Sequence, residues 1–589
     1  MCLEQTSVNV YPMSTTYTFE NDSVRVTLTF MTPLLTSDLK LMSRPVSYIS
    51  YRIENLDKRL HNIKLYFGMD CEISVNKPYQ LVNADVYEHG VYCGRGNVDV
   101  LATTGDDRNI DWGWLHLFSK DGFTPVVHSL KQLREWIGMP FRWDCDMKEL
   151  KGGDTFSLDD KVAYIALQRE FELDHSDVHG VICVAYDDIH SIMYLDKPLD
   201  AYYKKDGDTF EDVCCSAIVE YPEIYKRVKS AEKELIQKAE GFGEKYVDII
   251  SLAYRQIIAA HKLVWDGEKL LFFSKECYSN GCIGTLDITY PSIPMFLILK
   301  PELVEGMLEP LFEYACSEHW NYDFAPHDIG QYPRANGQVY GVDENGIQNE
   351  EMQMPIEECG NALICVYALC YYRKKRTFFV RYKDILEKWV DYLIRFGRDP
   401  ENQLCTDDFA GHLAHNCNLA LKAIMGIASY GMLLQECGDE KAQYYLDVAR
   451  EYALDWEKRA CDGNHTRLAF DQEGTWSIKY NAVWDRIFGW NILSEEFYKK
   501  ERIHYEKYLK SYGVPLDSRS DYAKSDWIMW SARMTDDREY VVKIIEALWN
   551  MLNETTSRVP FCDYFYASTA RQVKFQHRSV QGGLYILML

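Results

Sequence analysis

No stretch of this chain approaches the ~18 uninterrupted apolar residues that a bilayer demands of a spanning helix, so no transmembrane segment is expected. The opening Met1-Cys2-Leu3-Glu4-Gln5 lacks the basic start and apolar run of a secretory leader. Cations are scarce: the net charge is -25, and Arg373-Lys374-Lys375-Arg376 is a short run read as a solvated turn. Phosphate binding draws its affinity from clustered Lys and Arg, so no nucleic-acid partner is expected. The 18 cysteines include no C-x-x-C pair, and the adjacent Cys214-Cys215 are poorly placed to bridge one another. Free thiols in a reducing cytosol are the expectation, hence a cytoplasmic location. The G-x-S-x-G elbow, the Walker loop, S-x-x-K with supporting partners and the G-x-G-x-x-G signature are missing too. No fixed-period repeat appears, which disfavours a solenoid.

What is present is a globular composition over 589 residues, 47% hydrophobic and 14% aromatic, with 42 Tyr and 14 Trp. That length suggests about two to four domains. The aromatic excess leans weakly towards a carbohydrate ligand, because sugar C–H faces stack on rings, although most such rings fill cores.

The first part reads as strands. Ser23–Phe30, Val46–Ile53, His61–Phe67, Asp111–Phe118, Lys161–Glu170 and Gly180–Asp187 are short β-branched and aromatic runs with partial period-two alternation. Strands punctuated by polar turns suggest an antiparallel β-sandwich over 1–225. Around Ala231 the period becomes helical: Ala231–Trp265 carries Val247, Ile250, Tyr254, Ile257, Ile258, His261 and Val264 at helical spacing. Helices are predicted at Glu302–Glu318, Glu357–Arg373, Tyr382–Phe396, His415–Gln435, Glu440–Arg459, Glu495–Ser511 and Tyr540–Glu554, among about eleven or twelve in all. Six hairpins closed into an (α/α) toroid barrel over 226–589 would use that number and put the long loops at one end. The expected fold is therefore multidomain α and β.

Four carboxylate-bearing loops alternate with apolar helices between Glu276 and Asp408. Crowding or burial raises one carboxyl's pKa while its neighbour stays ionised, so converging loops can hold a proton donor beside a nucleophile or base. Glu276 lies eleven residues before Asp287, with Asn280-Gly281-Cys282-Ile283-Gly284 between them; a lone surface ion pair is the bland reading of Glu276. His327-Asp328 could orient sugar hydroxyls, but one His and one Asp give neither the count nor the spacing of a closed metal site. His412 and His415 read as a capping or packing pair. Thr406-Asp407-Asp408 looks like an N-cap and first turn, which explains one of the two Asp residues. Glu357-Glu358 open a helix after Pro355 and could simply complement its dipole. The oxygen-rich Asp343–Glu350 lacks the ligand order of an EF-hand and is a weak calcium candidate; no other cofactor and no metal are expected. Trp484-Asp485-Arg486, Lys524-Ser525-Asp526-Trp527 and Gln576-His577-Arg578 fall at helix junctions suited to sugar hydroxyls.

Several of these segments carry a resemblance. Thr32-Pro33-Leu34-Leu35, Ser43-Arg44-Pro45, Pro326-His327-Asp328-Ile329-Gly330, Pro355-Ile356-Glu357-Glu358-Cys359-Gly360-Asn361, Thr406-Asp407-Asp408-Phe409-Ala410-Gly411-His412 and Tyr522-Ala523-Lys524-Ser525-Asp526-Trp527 resemble the glutaminase A family over nearly the whole chain. More distantly, Glu276 with Thr285-Leu286-Asp287-Ile288, the His327-Asp328 loop and Thr406-Asp407-Asp408 are similar to the bile-acid β-glucosidase and β-xylosidase family of clan O glycoside hydrolases. That similarity implies a β-sandwich joined to a six-hairpin barrel, with Glu276 as nucleophile and Asp408 as general acid/base. Asp407 is the close alternative, since this chain has Asp where that family has Tyr. By loop position Asp287, His327, Asp328, Arg334, Glu357, Glu358, His412, Trp484, Asp526, Trp527 and Arg578 are the substrate-binding candidates.

The resulting expectation is a glycoside hydrolase acting on a small, β-linked carbohydrate by carboxylate catalysis, with a homo-oligomer left open. The alternatives are an amidohydrolase acting on L-glutamine and a non-catalytic carbohydrate-binding protein. A glutaminase ordinarily needs an activated Ser or Thr, and none stands out.

Overall fold

The structure is a computed structural model that describes residues 3–138, 149–159, 162–343, 348–405 and 408–589, with the side chains at 350 and 408 outside that description. The chain divides into two compact units. The first comprises Met1–Met193 with Pro198–Leu235, and the second Tyr194–Lys197 with Ile236–Leu589.

The first unit is rich in antiparallel strands. A nine-stranded sheet runs, edge to edge, Glu4–Val10, Ser14–Glu20, Val24–Met31, Val46–Asn55, Val178–Asp187, Trp114–Phe118, Gly90–Gly94, Leu81–Tyr87 and Asp154–Ser157. A three-stranded sheet pairs His61–Asp70 with Ala163–Leu173 and the latter with Thr124–Ser129. Period-two alternation decides what each strand buries: Ile49, Tyr51 and Ile53 from one sheet and Ile165 and Leu167 from the other enter a single core. The strand reading does not extend to residue 225. A 30-residue helix, Phe210–Ala239, follows the strands, so the expected boundary at 225 falls inside a helix. Glu211 and Asp212 in its first turn complement its dipole.

The second unit is helical, with twelve α-helices between Glu244 and Glu554 among the described residues. The helical spacing read over Ala231–Trp265 gives way after Ala259 to a hairpin, His261–Trp265 paired with Leu270–Ser274, because the apolar, aromatic run Leu270-Leu271-Phe272-Phe273 offers His261–Trp265 a strand partner. That hairpin delivers the chain to Glu276. Helix Leu286–Leu299 follows and is buried from Leu286 to Leu297 despite Pro291 and Pro294. Pro291 has no N–H to give the carbonyl of Asp287 four residues back, so that carbonyl lacks its usual helical donor.

Helix Cys417–Glu436 alone among the described helices is long and apolar enough to cross a membrane, yet it is 94% buried within the protein. It packs on helix Pro355–Arg373 at Gly360, where a Cβ would lie 2.5 Å from the Cγ of Lys422. The bare glycine lets Lys422 lie flat against its neighbour.

The described cysteines are free thiols. The calcium candidate Asp343–Glu350 falls largely outside the described residues.

Candidate active site

The site is assembled by two loops that pair with each other. Ile283 N donates to Gly330 O at 2.9 Å, Ile329 N to Ile283 O at 3.1 Å, and Leu286 N to His327 O at 2.9 Å. Gly330 is needed for this: its φ is +148°, and a Cβ there would stand 2.0 Å from the carbonyl oxygen of Arg334. The pairing brings Glu276, at the end of the hairpin, and Asp287, in the first turn of helix Leu286–Leu299, up against His327.

His327 is held firmly. Its Nδ1 lies 3.0 Å from Asp328 Oδ2, and its ring stacks on Tyr340 with centroids 4.2 Å apart. Asp328 is spent within the loop: Oδ1 accepts from Gly330 N and Val339 N, and Oδ2 from Tyr340 N as well as His327. The carboxylate therefore orients the imidazole and has little left for a substrate. Nε2 of His327 points the other way, 3.8 Å from Asp287 Oδ1. Burial alone would lower the imidazole pKa, but the Asp328 hydrogen bond and the charges of Asp287, Asp328 and Glu358 outweigh it and raise the pKa to about 10.

Around this imidazolium the carboxyls are driven apart in protonation. Burial raises Asp287 to about 6, with His327 and Arg578 opposing and Glu276 and Glu357 adding to the rise. Burial, then the charge of Asp287, pushes Glu358 well above the ordinary carboxylate range. Glu358 Oε2 accepts from Asn361 Nδ2 at 3.0 Å and Oε1 has no hydrogen-bond partner. Glu357, by contrast, is paired with Lys422, whose Nζ also donates to Asn361 Oδ1 at 2.8 Å and lies 4.3 Å from the ring centroid of Tyr290.

A second arm of the cluster comes from the C-terminal loops. Arg578 clasps Asp563 through Nε at 3.0 Å and Nη2 at 2.5 Å, and reaches Glu276 Oε1 through Nη1 at 3.3 Å. Burial would raise Asp563, but Arg578 and Lys524 hold it down at about 2. Lys524 Nζ lies 3.0 Å from Asp563 Oδ2 and 3.5 Å from Asp526 Oδ2, an ion contact without the alignment of a hydrogen bond. With Lys524 committed nearer to Asp563, burial wins at Asp526 and lifts it to about 6; neither of its carboxyl oxygens has a hydrogen-bond partner. Glu276 Oε2 and Asp287 Oδ1 are likewise buried without one.

The fractional exposures separate floor from foundation. Glu276 and Asp287 keep 6% and 8%, whereas Glu358, Asp526 and Asp563 keep none. The structure thus brings together Glu276, Asp287, His327, Glu357, Glu358, Asp526 and Arg578. The remaining expected binding residues differ in their burial. Trp484 and Trp527 are wholly buried core rings, Trp484 donating to Tyr290 Oη and Trp527 stacked on Tyr480 at 3.8 Å, so neither offers a face to a sugar. His412 is exposed beside Gly411, and Arg334 is half-buried on the strand Arg334–Ala335. Asp407 and the side chain of Asp408 lie outside the described residues. Phe409, which follows them, stacks on Tyr564 at 4.7 Å and lies 5.2 Å from Lys524 Nζ.

Lys422 and Asp563 were not among the expected site residues. Each carries a signal in hindsight: a lone cation in the apolar helix Cys417–Glu436, and a lone acid in the aromatic run Phe561–Tyr566. An isolated charge in an apolar element must be paired when buried.

Comparison with known proteins agrees on the fold. The glutaminase A six helical-hairpin domain matches residues 243–588, and a domain of unknown function (DUF5127) matches 13–238. The chain is 27% identical over 624 residues to a protein named glutaminase A from Aspergillus oryzae, covering 100% of this chain and 86% of the relative. It is 25% identical over 658 residues to a probable glutaminase from Arthroderma benhamiae, covering 92% and 74% respectively. Among solved structures, a bacterial glucoamylase complexed with acarbose superimposes with a TM-score of 0.54 over 99% of this chain and 85% of that one, at 9% identity, a likeness of fold.

Proposed function

The chain belongs to the glutaminase A six helical-hairpin domain family, and from that premise we propose that it is a glycoside hydrolase cleaving a small, β-linked carbohydrate. The observation that carries this reading is the buried carboxyl cluster in which Glu276, gripped at Oε1 by Arg578, keeps Oε2 bare beside Asp287 and Glu358, whose carboxyls burial raises above their ordinary range. Glycoside cleavage needs that division of labour: one group ionised to attack or stabilise the anomeric centre, another protonated to release the leaving oxygen. In this reading Glu276 is the nucleophile and Asp408 the general acid/base, with Asp407 the alternative. Asp287, His327 and Arg578 bind sugar hydroxyls at the floor of the site. The helical unit closes into a six-hairpin barrel, the first unit is a β-sandwich, and the enzyme works in the cytoplasm.

The name of the full-length relatives favours a second reading, hydrolysis of L-glutamine. A seryl–lysyl contact exists, Lys479 Nζ lying 2.9 Å from both Ser477 Oγ and Ser477 O, but both side chains are buried. Carboxylate chemistry is the better supported. The test is hydrolysis of a panel of nitrophenyl α- and β-glycosides beside L-glutamine by the wild type, Glu276→Gln and Asp408→Asn. Glycoside cleavage lost in both variants is expected; turnover of glutamine alone would overturn the reading.

A further inference from the structure

The same floor has a second chemical capability. One ligand atom each from Glu276, Asp287 and His327 lies within 4.8 Å of the others, and His327 Nε2 stands 3.8 Å from Asp287 Oδ1. The 3.8 Å separation is near the ~3.4 Å edge of a tetrahedron built on ~2.1 Å metal–ligand bonds. Two of the atoms that can close it, Glu276 Oε2 and Asp287 Oδ1, are buried and have no hydrogen-bond partner, an arrangement that costs free energy unless something occupies it.

We propose that Glu276, Asp287 and His327 form a binding site for a divalent transition-metal ion, Zn²⁺ being the best fit. Two carboxylates and one imidazole are a donor set that zinc accepts, and three protein ligands leave the fourth position open to water or a hydroxyl. The surrounding residues orient the ligands as outer partners of a metal site do. Asp328 holds His327 at Nδ1 and so turns Nε2 towards the carboxylates; the ion displaces the Nε2 proton of the imidazolium to solvent and takes its lone pair. Arg578 takes Glu276 Oε1 and leaves Oε2. A rival grouping of Cys282, His327 and Asp328 is also compact, but Asp328 already accepts three backbone N–H groups and the imidazole.

An ion here would take the Glu276 lone pair needed for attack and would therefore inhibit hydrolysis. That consequence rests on the glycoside-hydrolase reading; the metal site does not.

The experiment is calorimetric titration of the chelator-treated full chain with Zn²⁺, repeated with Co²⁺ while recording visible absorption. One ion per chain is expected, with binding weakened at least about tenfold in His327→Gln and in Asp287→Asn and unchanged in the exposed control His319→Gln. Thermal unfolding checks that each variant is folded, and Glu276→Gln supplies the same readout from a loop position. Wild-type binding no tighter than that of the folded ligand variants would overturn the proposal. If Zn²⁺ binds and no glycoside is cleaved, the metal site stands and the catalytic reading falls; cleavage without Zn²⁺ binding gives the converse.

Discussion

Arg578 serves two carboxylates unequally: Nε and Nη2 grip Asp563 at 3.0 and 2.5 Å, while Nη1 reaches Glu276 Oε1 at 3.3 Å. The two-pronged grip fixes the plane of the guanidinium, and the single contact passes that orientation on to Glu276. Stacking of Arg578 on Phe575, 4.2 Å from the ring centroid, secures the same plane from its face.

Arg578→Lys keeps the charge and removes the fork. Lysine cannot hold Asp563 bidentately and still aim at Glu276, so the nucleophile loses its alignment. We expect kcat on a cleaved glycoside to fall by about 10²-fold, the scale of an ångström-level misplacement. A kcat equal to the wild type would mean that Arg578 does not position Glu276.

Lys422 and Glu357 pair inside the helical unit with essentially no exposure. Lys422→Met strands a buried carboxylate and should cost about 3–5 kcal/mol in chemical denaturation. Adding Glu357→Leu removes the orphaned charge, so the double variant should recover a large part of that loss. A single variant as stable as the wild type would show that the pair carries no net energy.

Stability should depend on pH in two opposed ways. Asp563 is held at about 2, below its unfolded value of about 3.9, so its contribution is present above that value and is lost as pH falls through about 2. Asp526 is raised to about 6; its protonated form suits the fold, so its contribution is full below about 3.9 and is lost as pH rises through about 6. Asp526→Asn mimics the protonated side chain. The variant should gain on the order of 2–3 kcal/mol over the wild type at pH 7 and nothing at pH 4. Equal gains at both pH values would rule out titration of Asp526 as the cause.

Much of this architecture was legible because it follows from periodicity. Val46–Asn55 alternates and is a strand; helix Pro355–Arg373 begins at Pro355, where a proline at the first helical position costs no hydrogen bond. Glu276, Asp287 and His327 stood out because carboxylates and a histidine among glycines and prolines have no structural purpose in a plain turn. What could not be read was direction. Trp484 and Trp527 carry the composition of a sugar platform, yet tertiary packing turns both into core, and only three-dimensional contacts tell a stacking face from a filler. Asp563 and Lys422 escaped because their partners lie 15 and 65 residues away in the chain, beyond the reach of any local pattern.

The anomeric configuration of the first product tests the role of Glu276. Arg578 engages Oε1, and the uncovered Oε2 offers a lone pair to an anomeric carbon. In the proposed hydrolysis, attack by that oxygen would form a covalent glycosyl–enzyme ester as the leaving oxygen takes a proton from the acid; water would then cleave the ester from the same face, and two inversions would retain configuration. Proton NMR during early turnover should therefore show the substrate's anomer first, with the other appearing only by mutarotation. Asp408→Asn should lower kcat by about 10²–10⁴-fold on glycosides with poor leaving groups and much less on a dinitrophenyl glycoside, whose leaving group departs unprotonated. In Glu276→Ala, azide should restore turnover and give a glycosyl azide of inverted configuration, because the small anion attacks once where the carboxylate stood. An inverted first product from the wild type would instead make Glu276 a general base acting through water, with the two carboxyls about 6.5–9.5 Å apart.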